Sequence, residues 1–173
     1  MAIDAVIEQA TLQDAPEILA LQKLAYQSEA ALHDDYTIPP LTQTLEEIQA
    51  EFDQQLFLQA TSEGRIVGSV RGALRDGTCY VGRLIVHPDV QNQGLGARLL
   101  SEIERAFGQA QRFELFTGHK SERNLAFYRR RGYRPFKEHQ VSDKLTLVFL
   151  EKKPASHRIA VLPGDGIDTE VRS

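Results

Sequence analysis

An α+β fold is predicted by three observations. A helical period follows the amino-terminal residues, three period-two segments come next on tight glycine turns, and helical periodicity returns after His87-Pro88. Residues 3–10 begin with short apolar alternation and read as a first strand. Thr11 or Asp14 can cap the helix that follows, with Pro16 tolerated in its first turn. Ile18, Leu21, Leu24 and Ala25 recur at helical spacing and carry that helix to about Leu32. His33-Asp34-Asp35-Tyr36 then enters a loop stiffened by Pro39-Pro40. A second helix covers 42–53, with Leu45, Ile48 and Phe52 on one side.

From there the period changes. Residues 56–60, 65–74 and 80–86 read as strands, joined by Ser62-Glu63-Gly64 and Arg75-Asp76-Gly77-Thr78. Connections this short make the three strands antiparallel. Leu95, Leu99, Ile103 and Phe107 then repeat every four residues as a helix. Residues 113–116 form a short strand, 121–131 a helix stopped by Gly132, and 133–136 and 145–150 two closing strands. The sum is about seven strands, mainly antiparallel, with about four helices.

At 173 residues the chain suits one domain; a hydrophobic content of 42% supports a core and 25% charged residues a solvated surface. The formal net charge of −4 argues against a polyanionic partner, so no nucleic acid is expected. Locally, Lys120, Arg123, Arg129, Arg130, Arg131 and Arg134 crowd together, either as a solvated helix face or as cations that meet the phosphates of a cofactor. Cys79 is the only cysteine, which excludes an intrachain disulfide and a cysteine metal cluster and fits a reducing cytoplasm. The amino terminus lacks a signal-peptide pattern, and no apolar run approaches the ~20 residues of a membrane span. The expectation is a cytoplasmic protein with no membrane partner and no metal; a homodimer is compatible with it.

The stretch from Gln91 to Ala97 carries the first chemical signal. A helix starting near Gly94 leaves its first N–H groups without intrahelical partners, and its dipole adds partial positive charge there. Glycines at 94 and 96 let a phosphate approach the backbone. No Lys-Ser or Lys-Thr pair follows, as a P-loop would need, and Leu99 stands where a dinucleotide fingerprint has its third glycine. Alone, the motif is equally compatible with a simple tight turn. A second constellation adds to it: Asn124 and Tyr128, four apart on one helix face, ahead of Gly132-Tyr133.

Leu84-Ile85-Val86-His87-Pro88, Gln91-x-x-Gly94-x-Gly96 and Asn124-x-x-x-Tyr128-x-x-x-Gly132-Tyr133 together resemble the GNAT acetyltransferase superfamily over roughly residues 3–151. Residues 1–153 are accordingly read as one GNAT domain and 154–173 as a tail of uncertain role. The resemblance implies a mixed sheet splayed between its fourth and fifth strands and an acetyl-CoA donor. It implies that Gln91, Asn92, Gln93, Gly94, Leu95, Gly96 and Ala97 hold the pyrophosphate, and that Leu84, Ile85 and Val86 lie beside the pantetheine arm. Asn124 and Phe127 would lie against the cofactor. Tyr128 would stand near its sulfur as general acid, although a phenol of pKa ~10 is a sluggish one. The competing reading of Tyr128 is packing against Leu115 and Phe136.

Many relatives carry a glutamate on the strand before the phosphate loop, where this chain has Tyr80, Val81, Gly82 and Arg83. That departure leaves the general base among Glu29, His33, Asp34, Asp35 and His119, or a water relay. His33, with a reference pKa of ~6.5, suits a proton acceptor. Asp34, Asp35 and Tyr36 fall where such proteins build the acceptor side, and two carboxylates there would attract a cationic amine. His87 reads as a turn residue and Cys79 as core. The implied activity is transfer of an acetyl group to a primary amine of a small molecule or peptide by direct attack; the alternative is a non-catalytic acetyl-CoA sensor. Finally, 158–167 resembles the opening strand and loop of isopropylmalate and isocitrate dehydrogenases, with no dehydrogenase domain behind it. It carries no dehydrogenase function and is expected to pack loosely or to pair with another chain.

Overall fold

Two hairpin turns set the middle of the sheet. Glu63-Gly64 and Asp76-Gly77 both hold positive φ at the two central positions (52° and 78°, 51° and 82°), the twist that suits adjacent antiparallel strands. They join β2 (Leu56–Ser62), β3 (Arg65–Arg75) and β4 (Thr78–Val86). The computed structural model describes residues 2–154. The dehydrogenase-like stretch and most of the predicted tail therefore lie outside the described residues.

Before these strands come β1 (Val6–Gln9), α1 (Ala15–Ala25), α2 (Gln27–His33), α3 (Pro39–Thr42) and α4 (Leu45–Glu51). After them come α5 (Leu95–Ala106), β5 (Arg112–Gly118), α6 (Glu122–Arg130), β6 (Arg134–Gln140) and β7 (Thr146–Lys152). The seven strands lie in the order β1-β2-β3-β4-β5-β7-β6. Every neighbouring pair is antiparallel except β4 and β5, whose parallel alignment follows from the α5 crossover between them.

Helices cover both faces. Leu95, Leu99, Leu100 and Ile103 of α5 pack with Tyr128 of α6 on one side. Ile18, Leu19 and Leu21 of α1 pack with Ile48 of α4 and Phe57 on the other. Thr44 caps α4 in a reciprocal pair with Glu47, each side chain bonding the other's main-chain N–H. No helix among the described residues is long and apolar enough to cross a membrane.

The amino-terminal helical region departs from the single helix expected. It breaks at Tyr26 (φ −84°, ψ 1°), where neither proline nor glycine signals a stop. Tyr26 instead packs at the border of two side-chain clusters, so tertiary contact decides the break. Pro39-Pro40, expected as a stiff loop, begins the one-turn α3.

A buried polar network lies under α1. Arg71 of β3 pairs with Glu51 at 2.7 Å, donates to Gln22 and sits over the Phe57 ring. Gln22 in turn donates to Pro40 O and Gln43, both at 2.9 Å. Burial pulls the Arg71 guanidinium down to about 10, with Glu51 opposing. The network ties α1, α3 and α4 to the sheet.

Candidate active site

The β4–β5 ladder is short: Thr78, Cys79 and Tyr80 face Arg112, Phe113 and Glu114. Beyond it β4 stays with β3 as far as Val86, while β5 stays with β7 as far as Gly118. The two inner edges separate, leaving main-chain donors and acceptors of both strands without a strand partner. A bulge bends β4 at this point: Arg71 faces Gly82 and Ser69 faces Ile85, so Val70 opposes both Arg83 and Leu84. Arg83 takes φ 48° to make that bend. A Cβ on neighbouring Gly82 would meet no atom within 4 Å, so there is open space beside the bend.

The first turn of α5 stands at one mouth of the cleft. Asn92 (φ 64°) and Gly94 (φ 83°) turn the chain into the helix, a reversal that glycine makes at least cost. Arg98 is the first residue of α5 whose N–H closes onto Gly94 O, at 3.1 Å, so the amides of Leu95, Gly96 and Ala97 remain for another acceptor. Gly96 sits over β4 and α6, its Cβ direction 3.6 Å from the Phe127 ring and 3.7 Å from Val86. Gln91 reaches back to Val86 O at 3.4 Å. Arg123 of α6 donates to the Asn92 side chain, joining the loop to the basic cluster noted in the sequence. Gln93 is partly exposed beside them. Leu95 and Ile85 are core side chains, so either could meet a ligand only through its main chain.

The other mouth is made by α2, β5 and α6. The Glu29 carboxylate accepts from Ser121 Oγ at 2.7 Å and Asn124 Nδ2 at 3.3 Å, and Asn124 also donates to Thr117 Oγ1 at 3.2 Å. Tyr128 lies one turn beyond Asn124, packed edge-on against Phe127 and Tyr133. Burial raises its phenol well above the ordinary range, with Tyr26 and Glu29 nearby adding to the rise; no hydrogen bond offsets it. Tyr128 shares its cluster with Leu115, as the packing reading holds, but Phe136 packs with Phe149 instead.

His33 is not the solvated loop residue its position suggested. It is 2% exposed at the end of α2. Nδ1 donates to Glu29 O at 3.0 Å, and Nε2 accepts the Lys120 N–H at 3.2 Å. The ring lies on Gly118, where a Cβ would come within 2.4 Å of two ring atoms. With both nitrogens engaged, no lone pair is left for a proton; the ring clamps α2 to the end of β5. His119 is exposed, and its Nδ1 accepts the Thr146 N–H at 3.0 Å.

Asp34, Asp35 and Tyr36 do not gather around Tyr128. Asp34 faces Lys144 at 3.7 Å, and Tyr36 is largely exposed. Asp35 accepts from the Thr37 hydroxyl and N–H at 2.6 and 2.9 Å, bonds that hold its carboxyl below the usual range. His87 caps the turn Pro88–Val90 through Nδ1, in keeping with a structural role. Cys79 is fully buried, and burial pushes its thiol up to about 12. Among the described residues no group of acidic, histidine and cysteine side chains could hold a metal ion. A surface hollow lies elsewhere, between β1 and α5, and touches only Ala97 of the cofactor residues named above.

Glu29 was visible in the sequence only as one of several candidates. Tyr26, Thr117 and Ser121 carried no sequence signal, because their proximity depends on the break at Tyr26 and on the splay.

Strand order, splay and glycine-led helix define an acetyltransferase-type fold. Residues 23–154 match the acetyltransferase (GNAT) domain, and the chain belongs to that family. Among solved structures it is similar to the PaiA N-acetyltransferase of Thermoplasma acidophilum in complex with coenzyme A, at 17% identity over 87% of this chain and 99% of that one, with a TM-score of 0.68. It is also similar to the ribosomal-protein-S18-alanine N-acetyltransferase of Escherichia coli, at 14% identity over 95% of this chain and 99% of that one, with a TM-score of 0.67. At such identities the likeness is one of fold. The UPF0157 protein YqkA of Bacillus subtilis (strain 168) is 28% identical over 119 residues, 69% of this chain. The match spans 34% of the length of that curated relative.

Proposed function

We propose that this chain transfers the acetyl group of acetyl-CoA to an amine by direct attack, within the β4–β5 cleft. The observation that carries the reading is the splay itself, with a free helix N-terminus at one mouth and a buried phenol beside a carboxylate at the other. The fit to the donor is good on two counts. Inner-edge main-chain groups of β4 offer the hydrogen bonds an amide-containing arm needs. The amides of Leu95, Gly96 and Ala97, with Arg123 near, offer an anion cradle. When bound, acetyl-CoA supplies an activated thioester carbonyl and a thiolate leaving group.

The residues then divide the work. Glu29, held by Ser121 and Asn124 with its second oxygen free of those bonds, accepts the amine proton directly or through water. The Tyr128 hydroxyl donates its proton to the departing sulfur. Burial holds that phenol protonated at neutral pH, which makes it a weak acid but a permanently loaded one. Asn124 orients Glu29 and anchors α6 to Thr117. A route through Cys79 has no support, since its thiol is buried and held protonated. The free thiol suits a cytoplasmic setting, and a homodimer is compatible with the reading.

The test is release of free CoA thiol from acetyl-CoA with a panel of amines, alongside thermal shift with acetyl-CoA. We expect a shift and amine-dependent release, with release falling about 100-fold in Tyr128→Phe while the shift persists. Release untouched by Tyr128→Phe would remove the acid role. The absence of any shift would remove the cleft as a donor site.

A further inference from the structure

We propose that Arg83 receives an anionic group on the acceptor, and that the acceptor is a small amine bearing a carboxylate. The proposal rests on the acetyl-transfer reading of the cleft. Of the five arginines in β3, β4 and β5, Arg65 and Arg75 are exposed at strand ends, and two of the other three are paired. Arg71 has Glu51 at 2.7 Å, and Arg112 has Glu114 at 2.9 Å and Glu151 at 3.0 Å. Arg83 forms no ion pair among the described residues, and its Nε is buried without an acceptor. An unanswered guanidinium N–H in a partly buried place is a standing cost that an arriving anion relieves.

Position makes the anion part of the acceptor. Arg83 stands at the bulge, beside open space at Gly82. The Tyr26 phenol lies near both Arg83 and the proposed base: burial raises it, Arg83 opposes the rise by its charge and by a side-chain hydrogen bond, Arg71 opposes it too, and Glu29 reinforces it. The donor's phosphates belong at the first turn of α5, which touches Val86. Arg83 is three strand residues away, about 10 Å along β4. The nearby carboxylates do not neutralise it, since Asp34 faces Lys144 and Asp35 faces Thr37. The acceptor wall therefore presents one cation to a substrate whose reacting group is itself an amine. A polyamine is repelled there, whereas an amine with its own carboxylate is held at both ends. The guanidinium edge that carries the buried Nε is one of the two that grip a carboxylate in bidentate fashion.

The experiment compares matched amines by thiol release: glycine and alanine, their carboxamides, phosphoethanolamine and spermidine. It uses the wild-type chain, Arg83→Met and Arg83→Lys, each checked for an acetyl-CoA thermal shift. We expect the carboxylates to exceed their carboxamides at least about tenfold in kcat/KM, the scale of one charge-assisted hydrogen bond. Arg83→Met should bring that ratio near one, mainly through KM, and Arg83→Lys should keep part of it. Equal use of acid and amide by the wild-type chain overturns the proposal, whatever the variants do. So does a preference that survives Arg83→Met, or preferred turnover of phosphoethanolamine or spermidine. An acetyl-CoA shift with no carboxylate-bearing amine acetylated sinks this proposal and leaves the donor site standing. No shift and no release sinks the cleft reading beneath it.

Discussion

On the α5 side of the cleft the polar groups left without partners are main-chain amides; on the α2 side the polar groups are side chains held by other side chains. The amides of Leu95, Gly96 and Ala97 need only a helix that begins at Gly94, a property of a few consecutive residues. Glu29 needs Ser121 at the cap of α6 and Asn124 within it, and α2 needs the His33 ring seated on Gly118 of β5. A backbone site is local and tolerant of change around it. A side-chain site is assembled from distant segments, so it can be retuned without disturbing the first. This difference lets one family keep its donor while varying its acceptor.

The sharpest way to separate the walls is Glu29→Gln. It should lower kcat about 100-fold in thiol release while leaving the acetyl-CoA thermal shift within error. A loss of the shift instead would mean that the walls are not independent. Next in size is Gly118→Ala. Its methyl group would overlap the His33 ring, and forced repacking of that kind costs about 1–3 kcal/mol, read as a lower midpoint in urea. Unchanged stability would show that α2 is not clamped there.

Alkaline pH probes the buried phenols. Tyr128 and Tyr133 are both raised above the ordinary value of ~10, so the unfolded chain ionises first. Their contribution to stability is complete below pH ~10 and is lost as pH rises beyond it, by up to about 1.4 kcal/mol per pH unit for each tyrosine. A urea series across pH 9–11 with Tyr133→Phe reads this, and the variant should show the shallower fall. The smallest effect is expected from Asp34→Asn with Asp35→Asn. Because these carboxylates serve Lys144 and Thr37, acceptor KM should stay within about twofold, the limit set by exposed, screened charges. A large rise would return them to the acceptor site.

Much of the fold was legible in the residues, for a physical reason. Glu63-Gly64 and Asp76-Gly77 announce hairpins, and Leu95, Leu99 and Ile103 announce one face of a helix, because those signals are short-range. The glycine-led turn into α5 was legible for the same reason. The break at Tyr26 was not, since no residue there disfavours a helix and its cause is packing from two sides. Nor was the bulge at Arg83, which shows only when β3 and β4 are laid in register. His33 looked like a free loop imidazole because its partners, Lys120 and Gly118, lie more than eighty residues away. The α2 side of the cleft failed to read from sequence because the contacts that join α2 to β5 and α6 are long-range.

The bond from the Lys120 N–H to His33 Nε2 turns one amide into a reporter. That proton can exchange with solvent only when the imidazole lifts off the glycine beneath it. Its deuterium uptake therefore counts how often α2 lifts from the end of β5. Saturating an acceptor should slow the exchange of that amide, and binding of donor alone should leave its rate nearly as it was.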